Sequence, residues 1–112
     1  MAKKISLEKI KKIVKEYIQV LETDGFFIEK VILYGSYASG TPYRDSDIDI
    51  CLISNKFGKN PHEEGKYLFR KLWDLKNANI EPVGYSPKDF YAKSKSPLVN
   101  EIQKNGIELK IK

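Results

Sequence analysis

The sequence predicts an α/β fold, a small mixed β-sheet of three or four strands with helices packed on one face. Three observations lead there. Apolar residues recur at three-to-four spacing over residues 6–24, the period of a helix that buries one stripe. Short β-branched runs at 28–34, 47–54, 80–85 and 107–111 have the length of strands. Helical segments then separate these runs, which is the order of an α/β chain. At 112 residues the sequence is read as one domain, residues 1–112.

Taken in order, Ser6 can cap the first helix, and Leu7, Ile10, Val14, Tyr17, Ile18 and Leu21 form its apolar stripe. Gly25 is placed to end it. The run from Ile28 to Tyr34 reads as a buried strand closed by Gly35-Ser36, and Ser39-Gly40-Thr41-Pro42 begins a loop of turn formers. Along the second strand, Asp47, Asp49, Cys51 and Ile53 share one face and Ile48, Ile50 and Leu52 the other. Asn60-Pro61 followed by Glu63 looks like a cap, a first-turn proline and an acidic first turn. The helix after it should turn Leu68, Phe69, Leu72 and Leu75 inward.

The third strand, Ile80 to Tyr85, contains Pro82, which has no N–H to give a neighbour, so the strand is expected at an edge. Ser86-Pro87 and Ser96-Pro97 each read as a cap plus first-turn proline. Gly106 ends the last helix, and Ile107, Leu109 and Ile111 alternate as a final strand.

Composition narrows the function classes. Hydrophobic residues are 41% and charged residues 31%, a globular balance. No apolar run, Val31–Tyr34 included, approaches the roughly 20 residues of a membrane span. Lysines interrupt every apolar stretch of the first twenty positions, unlike a signal peptide, so a cytoplasmic protein is expected. One cysteine makes neither an internal disulfide nor a cysteine-rich zinc site. The net charge of +5 is spread along the chain without a block of five like charges, so it reads as a solvated surface and does not indicate a nucleic-acid arm.

The chemistry concentrates between residues 34 and 49. Asp47 and Asp49, at i and i+2 on a strand, point to the same side with oxygens close enough to share divalent cations. Two carboxylates in an apolar strand repel unless a cation compensates. Gly35-Ser36 lies where a strand turns, where backbone N–H groups and a hydroxyl can hold phosphate oxygens. Hard oxygen donors favour Mg²⁺, and Glu81 on a neighbouring strand is the candidate third carboxylate. A phosphate cradle beside a metal site suits two-metal phosphoryl chemistry.

Gly35-Ser36, Asp47-x-Asp49 and a later acid on a strand together resemble the signature of the DNA polymerase β-type nucleotidyltransferases, and the short length resembles the minimal branch of that superfamily. The resemblance spans about residues 5 to 85. It implies the nucleotidyltransferase core fold, with Gly35 and Ser36 binding the β- and γ-phosphates of a nucleoside triphosphate. It also implies that Asp47, Asp49 and Glu81 hold two Mg²⁺ ions while a hydroxyl attacks the α-phosphate and pyrophosphate leaves. Two positions depart from the common pattern: Ser39 stands where many minimal members have arginine, and Glu81 where Asp is common. Minimal members resemble antitoxins paired with a helical HEPN-domain protein, whose tyrosine they can nucleotidylate. Such a partner, or a second copy of the chain, is therefore expected to complete the acceptor site. The alternative is a non-catalytic module that binds metal, nucleotide or partner.

Other residues have simpler expectations. Arg44 either contacts phosphate or pairs with Asp45. Cys51 is expected to be a buried thiol and His62 a solvated side chain. Trp73, with Phe69, is expected in the core or at an interface rather than as a base-stacking platform.

Overall fold

Ser6 opens the first helix, α1 (Leu7–Thr23), its hydroxyl accepting the Lys9 N–H at 3.2 Å. This computed structural model describes residues 6–40, 47–75, 79–93 and 96–110. The apolar stripe of α1 is buried at Ile10, Val14, Tyr17, Ile18 and Leu21, while Leu7 at its start stays exposed. After α1 come β1 (Lys30–Tyr34), the short α2 (Ser36–Ser39) and β2 (Ile48–Ile53). Next are α3 (Pro61–Lys71) with a 3₁₀ turn at Leu72–Asp74, and β3 (Ile80–Tyr85). The chain closes with α4 (Pro87–Phe90), α5 (Pro97–Asn105) and β4 (Ile107–Leu109).

The four strands form one mixed sheet in the order β3-β2-β1-β4. β1 runs antiparallel to β2 and to β4, and β2 runs parallel to β3. The proline-bearing β3 lies at an edge, as its missing N–H requires. A parallel pair needs a crossover, and α3 supplies it by carrying the chain from the end of β2 back to the start of β3.

One face of the sheet is sealed. Val31, Leu33, Ile48, Ile50 and Leu52 pack there against α1 and against Leu68 of α3, all of them buried. The Tyr17 hydroxyl donates to the Leu68 carbonyl at 2.7 Å, tying the two helices together under the sheet. A second tie lies at the rim, where Asp24 accepts from Tyr67 at 2.7 Å and pairs with Lys71 at 2.8 Å. Those two partners hold the Asp24 carboxyl below its ordinary value.

The opposite face is only half covered. Ile32, Tyr34, Cys51 and Ile53 pack there with Phe90 of α4 and with Val99 and Ile102 of α5. The expectation of helices on one face therefore holds for the two longest helices and is corrected for the C-terminal pair. The physical reason is that both faces of β1 and β2 are apolar over part of their length, and each needs cover. A second correction concerns Phe69, expected inward but 47% exposed. Leu68, Leu72 and Leu75 fill the inner side of that segment, and Phe69 falls on the outer stripe. Cys51 is fully buried and His62 exposed, as expected. Ile111 and Arg44 lie outside the described residues.

Candidate active site

The uncovered half of the second face is where the acidic residues stand. Strand register decides this: Asp49 on β2 is the partner of Tyr34 on β1 and of Glu81 on β3. Directly paired residues project to the same side of a sheet, so Tyr34, Asp49 and Glu81 form one row across three strands. The next row inward is Ile32, Cys51 and Val83. Asp47, just before β2, is exposed, Asp49 is half-buried and Glu81 is exposed. Burial of Cys51 pushes its thiol up to about 12, so it packs and does not react.

Asp49 is the electrostatic centre of the site. Burial, the charge of Glu81, a hydrogen bond with Glu81 and the charge of Asp47 together raise its pKa to about 6. Tyr34 beside it is held above its ordinary value, first by burial and then by the charge of Asp49. Among the described residues no three His, Cys, Asp or Glu side chains converge closely enough to ligate one ion. Asp49 and Glu81 are in contact, and Asp47 acts on Asp49 through its charge. This donor set, hard oxygens with an excess of negative charge, fits a divalent cation.

Gly35 forms the other wall. Its φ of +73° and ψ of −152° are closed to most side chains. A Cβ there would collide with the Asp49 carboxylate oxygen and lie 3.1 Å from its carboxyl carbon. The turn therefore sits directly against the carboxylate, and only glycine permits it. The Gly35 carbonyl then accepts the N–H groups of Ala38 and Ser39, each at 3.1 Å, winding α2 away from Ser36. Ser39 donates its hydroxyl to the Ser36 carbonyl at 3.1 Å.

The structure thus brings Gly35, Ser36, Asp47, Asp49 and Glu81 to one end of the sheet. His62 lies on α3, away from this group. Tyr34 was missed in the sequence as a neighbour of Asp49. Alternation along β1 gives it a face, but which face meets Asp49 depends on a register that only strand pairing supplies.

The nucleotidyltransferase domain family matches residues 7–109 of the chain. A "Putative protein adenylyltransferase" of Methanocaldococcus jannaschii is 33% identical over 72 residues, 62% of this chain. The match spans about half of that relative, 49% of its length. Among solved structures, a "putative nucleotidyltransferase" from Sulfolobus solfataricus superposes with a TM-score of 0.62 at 18% identity, covering 90% of this chain and 79% of that one. A toxin–antitoxin complex with AMP-PNP gives a TM-score of 0.58 at 22% identity, over 84% of this chain and 70% of the other. A variant of the MntA–HpeT toxin–antitoxin gives 0.58 at 21%, over 96% and 73%. These structures share the fold, and no helix among the described residues is long and apolar enough to cross a membrane. With the family match running through both the glycine turn and the acidic strand, the chain belongs to the nucleotidyltransferase domain family.

Proposed function

We propose that this nucleotidyltransferase moves a nucleoside monophosphate from a nucleoside triphosphate to a hydroxyl of a partner polypeptide. The observation that carries the reading is the Asp49–Glu81 carboxyl pair, set on the open half of the sheet with the Gly35 turn against it. Asp47, Asp49 and Glu81 would hold Mg²⁺, which when bound neutralises charge on the transferring phosphoryl group and its leaving group. Gly35 and Ser36 seat the β- and γ-phosphates at the turn, and Arg44, from segment 41–46, is the further phosphate contact. The acceptor oxygen forms a bond to the α-phosphorus as the α–β anhydride bond breaks. Pyrophosphate leaves, and Glu81, at the exposed edge of the row, would take up the proton of the acceptor hydroxyl.

ATP is the preferred donor in this reading, supported by the protein adenylyltransferase relative. A helical HEPN-type protein that offers a tyrosine is the preferred acceptor, supported by the toxin–antitoxin neighbours. A second copy of the chain is the other candidate partner.

Calorimetric titration of ATP, GTP, CTP and UTP with Mg²⁺ tests the reading on wild type and on Asp47→Asn/Asp49→Asn. Metal-dependent binding of ATP that the double variant loses is expected. Absence of binding to every triphosphate by a folded wild type would reject transfer and leave a non-catalytic partner-binding module.

A further inference from the structure

The helix α3 has two apolar stripes where a single inward-facing one would suffice. The inner stripe holds Leu68 against the sheet. The outer one runs through Gly65, Phe69 and Trp73, at i, i+4 and i+8, and continues from the helix into the 3₁₀ turn. Phe69 is 47% and Trp73 87% exposed, and both line a shallow groove whose floor includes Gly65.

No contact among the described residues requires position 65 to lack a side chain. An interior helical glycine costs helix stability relative to alanine. A Cβ at this position would meet no atom within 4 Å. The missing side chain leaves a notch in the outer stripe, and a notch on a helix surface lets a second helix axis come close.

Charge decides what kind of helix. The charged side chains lining the groove among the described residues are Lys66 and Arg70, with His62 at its start. Lys66 pairs with Glu63 at 3.6 Å, an exposed contact that an incoming carboxylate can displace, and Arg70 lies over the Tyr67 ring at 6.0 Å. A second copy centred on the same groove would set these cations against themselves. An acidic occupant is complementary to them.

We propose that the outer face of α3 and its 3₁₀ turn is the docking site for an amphipathic helix of a partner protein, with an apolar seam flanked by acidic side chains. Its position gives the docking a purpose. Because β2 and β3 are parallel, α3 ends where both strands begin, so the Trp73 end of the groove lies at the carboxylate end of the sheet. A helix seated there ends at the same end of the sheet but on the α3 side, opposite the face that carries Asp49 and Glu81, so a segment of the partner beyond the helix would have to reach the carboxylates around the sheet. Delivery of the acceptor by this route rests on the proposed transfer reaction, whereas the docking itself does not.

Trp73 is the one tryptophan of the chain, so its emission reports the groove alone. The probe is a synthetic amphipathic helix with a leucine seam and glutamate flanks, titrated without nucleotide, so its outcome is independent of catalysis. A saturable blue shift of the emission is expected. The same seam with lysine flanks should bind about tenfold more weakly or worse. Gly65→Leu fills the notch while adding helix propensity, so its Tm should hold or rise while binding of the glutamate peptide falls about tenfold. Several results would overturn the proposal: no shift, equal binding of both peptides, or wild-type binding by Gly65→Leu. A single-stranded oligonucleotide that shifts Trp73 with a steep salt dependence would overturn it in favour of nucleic acid. A dimer in sedimentation that Gly65→Leu abolishes would give the face to a second copy.

Discussion

The same four strands present two faces with opposite properties. On one, Val31, Leu33, Ile48, Ile50 and Leu52 are sealed beneath α1 and α3, and Tyr17 closes the helix pair with a buried hydrogen bond. On the other, α4 and α5 cover Ile32, Cys51 and Ile53, but the row of Tyr34, Asp49 and Glu81 beyond them is open to solvent at its edge. The sealed face holds the fold together, and the open end accepts an electrostatic cost. Burial, with Glu81 and Asp47 gathered around it, raises Asp49 to about 6, which opposes folding of the metal-free protein at neutral pH. The sealed core and the candidate site are thus separated by face and not by segment, since Ile48, Asp49 and Ile50 are consecutive residues.

Substitutions on each face should break or sharpen that contrast, beginning with the largest. Ile50→Ala opens a cavity between sheet and helices and should cost about 2–5 kcal/mol in chemical denaturation. A cost well under 1 kcal/mol would mean that the face is not sealed. Gly35→Ala brings a Cβ into the Asp49 carboxylate at a positive φ. Displacement of a site group by this much should lower nucleotidyl transfer by about 10²-fold, with a far smaller change in Tm. Unchanged transfer would detach the turn from the site. Tyr17→Phe removes the hydroxyl that Leu68 accepts and should cost about 1–2 kcal/mol with transfer unaffected, as urea titration and activity would show together.

The smallest effect has the opposite sign. An acid whose folded pKa is raised favours the folded state most when protonated. The metal-free protein therefore loses stability as pH rises from the ordinary carboxyl value of 3.8 through about 6. Asp49→Asn cannot ionise, so in chelator it should match wild type near about pH 4 and melt higher than wild type above about pH 6. A variant that melts lower across the whole range would show that Asp49 stabilises the fold rather than burdening it.

Much of this was readable in the residues. The caps at Ser6, Asn60, Ser86 and Ser96 each accept the backbone N–H three residues on, as their spacing implied. Pro82 marked an edge strand, and the carboxylates at 47, 49 and 81 that the sequence singled out lie at one end of the sheet. The errors have a common source. Phe69 was placed inward because a helical repeat of apolar residues does not say which of two stripes meets the core. Helices were placed on one face because the short apolar sets of α4 and α5 carry no address.

What the sequence determined by itself is local: helix starts, strand periods, the glycine turn and the types of side chain able to bind cation and phosphate. These follow from neighbours within a few residues, where backbone sterics and hydrogen-bonding reach suffice. Only the tertiary structure decided that Glu81 stands opposite Asp49, that Gly35 lies against its carboxylate, and that Phe69 and Trp73 face outward. Register and helix facing are chosen by the packing of segments far apart in the chain, and that choice is a property of the whole core.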